Sequence, residues 1–360
     1  MPSTVAVVGG GYGGIGAARE LDAAADVVLI EPRDTFVHHV AALRGLVDPA
    51  WVDRIFLPYD RLLERGRVVR DRAAAVDPGG VVLGSGERID ADFVVLATGA
   101  SYPFPAKFAE ADSAEAKARL RDAHAELAAA DAVLLLGAGP VGLEFAGEIK
   151  AAWPGTAVTV VDPADDILAG AFPEEFRAEV RRQLADLGVE LVLGTALTAE
   201  PATPPGKTAP LTAATESGRA ISADIWFRCH GVAPATDYAF DGGLAAARQV
   251  GGGLQVTADL RLPGHGTVFA IGDVTALPEA KTARNASAQA RAAAAGVRAL
   301  IEGREPAPYE PMPPGIMLPL GPARGAGFSP ATGVLDAATT AQFKGSEMMV
   351  GHYRELLGLD

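Results

Sequence analysis

Two short glycine-rich segments are the parts of this sequence best suited to hold a phosphate group. They share the spacing GxGxxG and consist of Gly9, Gly11 and Gly14 in the first copy and Gly137, Gly139 and Gly142 in the second. In this spacing the first glycine permits a tight turn, the second lets the backbone approach a pyrophosphate, and the third allows a helix to pack closely on a strand. The phosphates then lie at the N-terminus of that helix, where N–H groups and the helix dipole favour an anion.

Each glycine segment is predicted to join a strand to a helix, and an acid follows the next strand. The first unit has strands at Val5–Val8 and Val27–Ile30, a helix from about Tyr12 to Ala23, and the acid Glu31. The second unit has strands at Ala132–Leu136 and Ala157–Val161, a helix to about Ala152, and the acid Asp162. An acid in this place is suited to accept hydrogen bonds from a ribose. The alternative is that the glycines are only tight turns of an α/β sheet, and the full context of both copies disfavours it.

The acids also bear on the choice of pyridine nucleotide. A 2′-phosphate bound at the second unit would meet Asp162, with Asp165 and Asp166 close by and no Arg or Lys nearby in the sequence. Because like charges repel, the sequence favours NADH over NADPH.

Two further strand ends carry residues that a flavin site needs. The predicted strand Phe93–Ala97 is followed by Thr98 and Gly99, and the strand Val268–Ile271 is followed by Gly272 and Asp273. Two dinucleotide folds in one chain suggest two dinucleotides, one that donates a hydride and one that accepts it. Asp273 is placed to bond the ribityl chain of FAD, and the N-terminus of the next helix favours negative charge. The prediction is therefore a flavoprotein that uses FAD and NADH; taken alone, Gly272-Asp273 would also fit an ordinary turn.

The composition excludes several other classes of protein. The chain has 360 residues and a formal net charge of −14, which argues against a nucleic-acid partner. Its single cysteine, Cys229, excludes an internal disulfide, a Cys-rich zinc site and a dithiol relay within the chain, and fits a cytoplasmic protein. We predict no metal site, no transmembrane segment and no signal peptide. Because Pro2 follows Met1, we also expect no N-myristoylation.

Several segments together resemble a known superfamily over roughly Thr4–Ile301. They are the two glycine segments, Ala97-Thr98-Gly99, Cys229–Pro234 and Ala270–Asp273, and they resemble the two-dinucleotide-binding-domain flavoproteins, or pyridine nucleotide-disulfide oxidoreductases. The segment Phe36–Arg44, and more loosely the tail with Gly321–Phe328 and Phe343-Lys344-Gly345, is similar to the apoptosis-inducing-factor-like, ferroptosis-suppressor branch. That resemblance implies an FAD-dependent NAD(P)H:quinone reductase. The chain departs from the superfamily in having no redox cysteine pair, and Pro2 with the negative charge puts a membrane quinone in doubt.

The resemblance also implies roles for individual residues. Glu144 would meet the nicotinamide amide, Lys281 would lie near the flavin or the acceptor, His38 would line the flavin pocket, and Arg44 would bind a cofactor. Each catalytic candidate has a plainer alternative. Glu144 would also be favoured as an acid near a helix N-terminus, Lys281 as a solvated lysine and His38 as a structural residue. Cys229 is expected to pack in the interior.

The expected architecture is an α/β fold with two Rossmann-like domains, the second inserted in the first. The bounds are 1–109 and 236–311 for the FAD-binding domain, 110–235 for the NAD(P)H-binding domain and 312–360 for a C-terminal region that covers one face. Pro173–Leu187 is predicted to be a helix with Pro173 in its first turn, and Glu305–Pro319 a proline-rich linker.

The expected activity is hydride transfer from NADH to FAD, followed by electron transfer to a small-molecule acceptor such as a quinone. Three alternatives are left open: a reductase for a ferredoxin or rubredoxin carrier, a redox-sensing binding protein like apoptosis-inducing factor, and an oxidase or monooxygenase that uses oxygen. A homodimer and a peripheral membrane contact are also left open.

Overall fold

The fold consists of two parallel sheets flanked by helices, with smaller antiparallel sheets beside them, in a computed structural model that describes residues 2–170 and 172–360. Met1, to which the N-terminal expectation applies, lies outside the described residues. The strands in chain order are β1 Thr4–Val8, β2 Asp26–Ile30, β3 Thr35–Val37, β4 Phe56–Pro58, β5 Arg67–Val69, β6 Ala73–Asp77, β7 Gly80–Leu83, β8 Arg88–Asp90, β9 Phe93–Leu96, β10 Ala100–Ser101, β11 Ala132–Leu136, β12 Ala157–Asp162, β13 Val189–Leu193, β14 Leu211–Ala214, β15 Ala220–Ala223, β16 Ile225–Arg228, β17 Ala233–Pro234, β18 Ala239–Phe240, β19 Val268–Ala270, β20 Ile316–Pro319, β21 Gly325–Ser329 and β22 Gly333–Leu335.

The first parallel sheet has the strand order β19-β9-β1-β2-β5. Its central strand β1 is almost wholly buried, as the unbroken apolar run of Val5–Val8 predicts for a strand covered on both faces. Strand β19 comes from far along the chain and pairs with β9. The sheet is therefore completed only after the chain has formed another unit in between.

That intervening unit is the second parallel sheet, with the order β13-β12-β11-β16. All four of its strands come from between β9 and β19 in sequence. The predicted α/β fold, with the second Rossmann-like unit inserted in the first, is confirmed. The residue numbers at which one domain gives way to the other stay predictions.

Eight α-helices cover the sheets in the described part of the chain. They are α1 Tyr12–Leu21, α2 Ala42–Val47, α3 Ser113–Ala128, α4 Pro140–Ala152, α5 Glu174–Asp186, α6 Ala283–Ile301, α7 Ala337–Thr340 and α8 Val350–Leu356. Pro173 precedes α5 as its N-cap and does not lie in the first turn, whereas Pro140 opens α4 at that position. Within residues 2–170 and 172–360, no helix is both long and apolar enough to cross a membrane.

The C-terminal region packs against both units. Its sheet β20-β21-β22 and the following π-helical turn Ala341–Gly345 lie beside α4, where a Cβ on Gly147 would come within 2.4 Å of the Leu320 Cα. Helix α8 instead places Tyr353 and Leu357 in the apolar core of the first sheet. The prediction of a linker over Glu305–Pro319 is wrong at its end, because the residues from Ile316 pair with β21 as a strand.

Candidate active site

The first glycine turn has the backbone geometry that a bound pyrophosphate requires. Gly9 adopts a φ of +102°, and a Cβ on Gly14 would lie 1.7 Å from the Gly9 carbonyl oxygen, so neither position accepts another residue without a shift. A Cβ on Gly11 would meet no described atom within 4 Å. The turn therefore has no space for a side chain at Gly9 and Gly14, where it packs on the strand. Its backbone is accessible to a ligand at Gly11, just before α1 begins.

Glu31 stabilises this turn through its carboxylate. One oxygen accepts a hydrogen bond from Gly10 N–H at 2.7 Å and the other from Arg33 N–H at 2.9 Å, and the residue is only 4 % exposed. The Tyr59 hydroxyl donates to the Gly10 carbonyl at 2.9 Å. Side chains from two other segments therefore enclose the first turn.

The second glycine turn repeats this backbone geometry. Gly137 has a φ of +119°, and a Cβ on Gly142 would lie 1.9 Å from the Gly137 carbonyl oxygen. A Cβ on Gly139 would meet no described atom within 4 Å. Asp162 accepts hydrogen bonds from Ala138 N–H at 2.7 Å and from Ala164 N–H at 2.8 Å.

The residues predicted to complete the flavin site lie at the carboxyl edge of the first sheet. Asp273 pairs with Lys107, whose Nζ lies 3.1 Å from Asp273 Oδ2 and 2.7 Å from the Ala100 carbonyl oxygen. Gly272 has a φ of +75°, and its N–H donates to Gln289 on α6 at 2.7 Å. The hydroxyl of Thr98 donates to the Ala235 carbonyl at 2.6 Å.

Gly99 follows Thr98 with a φ of +72°, and a Cβ there would meet no described atom within 4 Å. Ligands of doubly wound sheets bind outside the carboxyl ends of the strands, which is where Gly99, Asp273 and the first glycine turn all lie. The open backbone at Gly11 and Gly99, with a carboxylate and an ammonium beside them, fits FAD.

Glu144 lies on α4, shortly after the second glycine turn, and forms a buried ion pair. Its Oε1 is 2.8 Å from the Nζ of Lys344, which also donates to the Met317 carbonyl oxygen at 3.1 Å. The two side chains are 13 % and 16 % exposed. Burial raises the pKa of Glu144, and the neighbouring Lys344 ammonium opposes that rise. The pair joins the second unit to the C-terminal region.

A second buried ion pair lies one helical turn further along α4. Arg44 donates to both carboxylate oxygens of Glu148, with Nη2 2.7 Å from Oε1, and the same Nη2 donates to the Gly345 carbonyl at 3.0 Å. Arg44 and Glu148 are 4 % and 1 % exposed. The predicted role of Arg44 in binding a cofactor stays a prediction; the contacts present link α2, α4 and the C-terminal region.

His38 is completely buried and makes hydrogen bonds through both ring nitrogens. Its Nε2 donates to the Met348 carbonyl at 2.6 Å, and its Nδ1 accepts from the hydroxyl of Tyr12, 3.1 Å away, an assignment that follows from the carbonyl being an acceptor only. Burial lowers the pKa of His38 to about 4, so the ring is neutral at neutral pH. His38 thereby ties the first glycine turn to the C-terminal region, and its predicted catalytic role stays a prediction.

Lys281 lies just before α6 and closes the loop that leads from Asp273. Its Nζ donates to the carbonyl oxygens of Thr275 at 2.7 Å and Leu277 at 3.3 Å. Partial burial lowers the pKa of Lys281, while Asp273 and Glu279 act in the opposite direction. The resemblance-based role of Lys281 near the flavin or acceptor stays a prediction.

Cys229 packs behind the second glycine turn, as expected. A Cβ on Gly142 would lie 3.3 Å from the Cys229 Cβ, and burial raises the pKa of the thiol to about 12. Among the described residues, no group of three or more His, Cys, Asp and Glu side chains could hold a metal ion.

Comparison with known proteins gives the same assignment as the geometry. The family described as pyridine nucleotide-disulphide oxidoreductase matches residues 3–290 of the chain, which include both glycine turns and Asp273. The chain belongs to this family. The predicted superfamily, its FAD and its NAD(P)H are confirmed, and the protein is an FAD-dependent NAD(P)H oxidoreductase.

Its relatives support the predicted branch of the family. The chain is similar to apoptosis-inducing factor homolog B of Dictyostelium discoideum, at 27 % identity over 97 % of this chain and 95 % of that protein. It is also similar to ferroptosis suppressor protein 1 of Taeniopygia guttata, at 31 % identity over 90 % of this chain and 87 % of the relative. The human ferroptosis suppressor protein 1 is 29 % identical over 90 % of this chain and 87 % of its own length.

Solved structures confirm the fold of the family member. The structure of the putidaredoxin reductase–putidaredoxin complex contains a chain that matches this one with a TM-score of 0.71 and 19 % identity. The match covers 99 % of this chain and 95 % of the chain in that structure. The ferredoxin reductase of the CYP199A2 system from Rhodopseudomonas palustris covers 87 % of this chain and 79 % of its own, with a TM-score of 0.66 and 23 % identity. At these identities the likeness concerns the fold alone.

Sequence reasoning missed several residues that form the site. They are Tyr59, Lys107 and Glu148. The ion pair that Lys344 forms with Glu144 was also missed. Lys344 lies 200 residues from Glu144, and no spacing rule connects them. The similarity of Phe343-Lys344-Gly345 to the branch was the one signal in the sequence, and it identified the segment without a partner for it.

Proposed function

We propose that the protein transfers electrons from NADH to a small quinone. The overall reaction is NADH + quinone + H⁺ → NAD⁺ + hydroquinone, so one hydride and one proton are consumed for each quinone. FAD, when bound, supplies the chemistry by accepting the hydride and returning the electrons. The observation that carries the proposal is the segment around Lys344, which pairs inward with Glu144 and presents apolar side chains outward.

On the donor side, the second glycine turn would hold the pyrophosphate of NADH and Asp162 a ribose. Glu144 would accept a hydrogen bond from the carboxamide of the nicotinamide ring, as the family resemblance implies. The neighbouring Lys344 ammonium, 2.8 Å away, favours the carboxylate form that such an acceptor needs. These residues orient the donor, and orientation is the main contribution a protein makes to hydride transfer.

On the acceptor side, Phe343, which precedes Lys344, and Met349, at the start of α8, are 62 % and 43 % exposed. A quinone is a flat, largely apolar molecule with carbonyl oxygens at its rim. Exposed apolar side chains on this segment suit the flat ring of such a molecule. Because Cys229 is the single cysteine, a dithiol relay within the chain cannot accept the electrons.

On the flavin side, Lys107 and Asp273 form an ion pair at the carboxyl edge of the first sheet. Asp273 would hold the ribityl hydroxyls, and the Lys107 ammonium fixes the position of its carboxylate.

The remaining expectations go with this proposal. The protein would prefer NADH to NADPH and act in the cytoplasm. A peripheral membrane contact and a homodimer are both compatible with this reaction. Size-exclusion chromatography with light scattering would measure the oligomeric state before and after addition of NADH.

The test separates the two half-reactions. Anaerobic stopped-flow absorbance should show loss of the flavin band with NADH, and its recovery on mixing with a short-chain benzoquinone. Glu144→Gln should slow the first step about tenfold, which corresponds to roughly 1.4 kcal/mol. Phe343→Ser should raise KM for the quinone and leave the first step unchanged.

Val334→Ser is the matched control, because Val334 is an exposed apolar residue of the same C-terminal region. It should leave both half-reactions unchanged. If the reduced enzyme reacted with a ferredoxin or rubredoxin but not with quinone, the carrier-reductase alternative would replace this proposal. Rapid recovery of the flavin band with oxygen alone would favour the oxidase or monooxygenase alternative. Slow recovery with every acceptor would favour the redox-sensing binding protein.

A further inference from the structure

The loop after Asp162 is fixed against the second glycine turn. Asp162 accepts the N–H of Ala138 in the glycine turn and the N–H of Ala164 in the loop. Four residues further on, Leu168 N–H donates to the Ala138 carbonyl oxygen at 2.9 Å. The intervening residue Asp166 therefore lies in a loop attached to the turn at both ends, beside the acid that would bind the ribose.

Two arginines from α5 reach Asp166 in this loop. Arg181 Nη1 lies 2.6 Å from each carboxylate oxygen of Asp166, and Arg177 Nε lies 3.0 Å from Oδ2. Both arginines also pair with Glu174 at the start of α5. The sequence showed no Arg or Lys close to Asp162, but the fold brings two guanidinium groups to the loop that follows it.

The charges of this cluster cancel. Asp166 and Glu174 oppose Arg177 and Arg181, two of each sign. Partial burial acts to raise the pKa of Asp166, but the hydrogen bond and charge of Arg181 outweigh it, so the pKa lies below its usual value. The carboxylate is therefore charged throughout the neutral range. The side chains of the cluster are 22 % to 34 % exposed at Arg177, Arg181 and Asp166, so solvent and a ligand can reach them.

We propose that Asp166 determines the preference for NADH by occupying Arg177 and Arg181 as their internal counter-ion. The inference rests on the proposed binding of NADH at the second glycine turn and goes beyond the acid at the strand end. A 2′-phosphate carries two strong negative charges near the Asp162 carboxylate and needs a guanidinium partner. Both guanidinium groups within the cluster already hold a carboxylate, so the phosphate would have to displace Asp166 to gain one.

The first variant is Asp166→Asn, which removes the charge and keeps the size. Binding is measured by calorimetry on the flavin-loaded protein with adenosine 2′,5′-bisphosphate and with 5′-AMP, which differ in the 2′-phosphate. We expect about tenfold tighter binding of the bisphosphate, or about 1.4 kcal/mol, and 5′-AMP binding unchanged within twofold. The ratio of kcat/KM for NADPH to that for NADH should rise by a similar factor.

Asp186→Asn is the matched control, because Asp186 lies on α5 with Arg177 and Arg181 but pairs with Arg182, at 2.8 Å, outside the cluster. It changes the net charge equally and should not alter the bisphosphate affinity. In Asp166→Asn combined with Arg177→Gln and Arg181→Gln, the gain should disappear. No gain in Asp166→Asn, or an equal gain in Asp186→Asn, would overturn the inference.

A third variant covers the case in which Asp166→Asn does not fold. Arg177→Gln with Arg181→Gln in the otherwise unchanged protein leaves Asp166 and Glu174 without counter-ions, so it should weaken the binding of the bisphosphate and of 5′-AMP by similar factors. A loss of bisphosphate affinity about tenfold greater than the loss for 5′-AMP would show that the arginines already bind the 2′-phosphate and would overturn the inference. Binding is measured without turnover, so these results are independent of the acceptor. Failure of 5′-AMP and NADH to bind the unchanged protein at all would instead contradict the proposed function.

Discussion

The two dinucleotide-binding turns have the same backbone and different surroundings. In both, a Cβ on the third glycine would overlap the carbonyl oxygen of the first, at 1.7 Å for Gly14 and 1.9 Å for Gly142. In both, an acid at the carboxyl end of the next strand accepts the N–H of a turn residue, Glu31 in the first and Asp162 in the second. The shared backbone reflects the shared ligand group, a pyrophosphate at a helix N-terminus.

The difference lies in how far other segments enclose each turn. At the first turn Glu31 is 4 % exposed, and a Cβ on Gly10 would lie 2.5 Å from the Tyr59 hydroxyl oxygen. The second turn carries a Cβ at the corresponding residue, Ala138, and its Asp162 is only half-buried. An enclosed turn suits a cofactor that stays bound, whereas an open edge suits a substrate that must leave in every cycle. The two turns thus differ as a resident site differs from an exchanging one.

The largest expected effect comes from filling each turn with one methyl group. Gly14→Ala should abolish FAD binding, because the new Cβ would lie 1.7 Å from the Gly9 carbonyl oxygen and force the turn to move. Gly142→Ala should retain FAD and lose NADH binding, with flavin reduction slowed by more than about tenfold. The flavin-to-protein absorbance ratio and stopped-flow reduction with NADH measure the two effects separately.

Gly155→Ala is the control for both, since a Cβ there meets no described atom within 4 Å. It should leave both the flavin content and the rate of flavin reduction by NADH unchanged. If Gly142→Ala lost its flavin as completely as Gly14→Ala, the distinction between a resident and an exchanging turn would be wrong.

The second largest effect concerns His38, which holds the first turn to the C-terminal region through its hydrogen bonds to Tyr12 and Met348. Tyr12, in the first turn, is bonded to buried His38, whereas the second turn has Pro140 at the corresponding position. Because the pKa of His38 is lowered to about 4 in the folded protein, unfolded chains bind more protons between pH 6.5 and 4. The contribution of His38 to stability is complete above pH 6.5, and about 3 kcal/mol of it is lost by pH 4.

Denaturant unfolding of the unchanged protein and of His38→Gln, from pH 7.5 to 4, measures this difference. Glutamine keeps a donor and an acceptor but does not titrate, so its stability should fall less steeply with acid. His352→Gln, at an exposed residue of α8, should behave as the unchanged protein does. Parallel curves for His38→Gln and the unchanged protein would show that His38 is not the titrating anchor.

The smallest expected effect tests the enclosure of the first turn directly. Tyr59→Phe removes the hydrogen bond to the Gly10 carbonyl, which is worth about 1 kcal/mol. FAD affinity, measured by reconstitution of the apoprotein with fluorescence detection, should fall about fivefold, and the Kd for NADH should not change. Tyr309→Phe removes a tyrosine hydroxyl that bonds Glu279 instead, and should change neither value. Equal losses of FAD and NADH affinity in Tyr59→Phe would contradict the comparison.

The sequence predicted the features that depend on neighbouring residues. The strand, turn and helix of each unit form where the apolar runs and glycines place them, and the acids follow the predicted strands. The insertion of the second unit also followed, because a repeated motif and a late strand end were visible. The strand from Ile316 was missed, since a proline-rich stretch resembles a linker until its partner β21 is known.

The sequence by itself determined the backbone of both nucleotide sites and the absence of a cysteine pair. These features are local or compositional, because steric limits at glycine and the residue count do not depend on the rest of the fold. Only the tertiary structure decided which charges meet. Lys344 pairs with Glu144, which lies 200 residues earlier in the chain. Arg177 and Arg181 pair with Asp166 from α5, a helix that no sequence motif connects to the second glycine turn. Such pairs are formed by packing between distant elements, and no spacing along the chain encodes them.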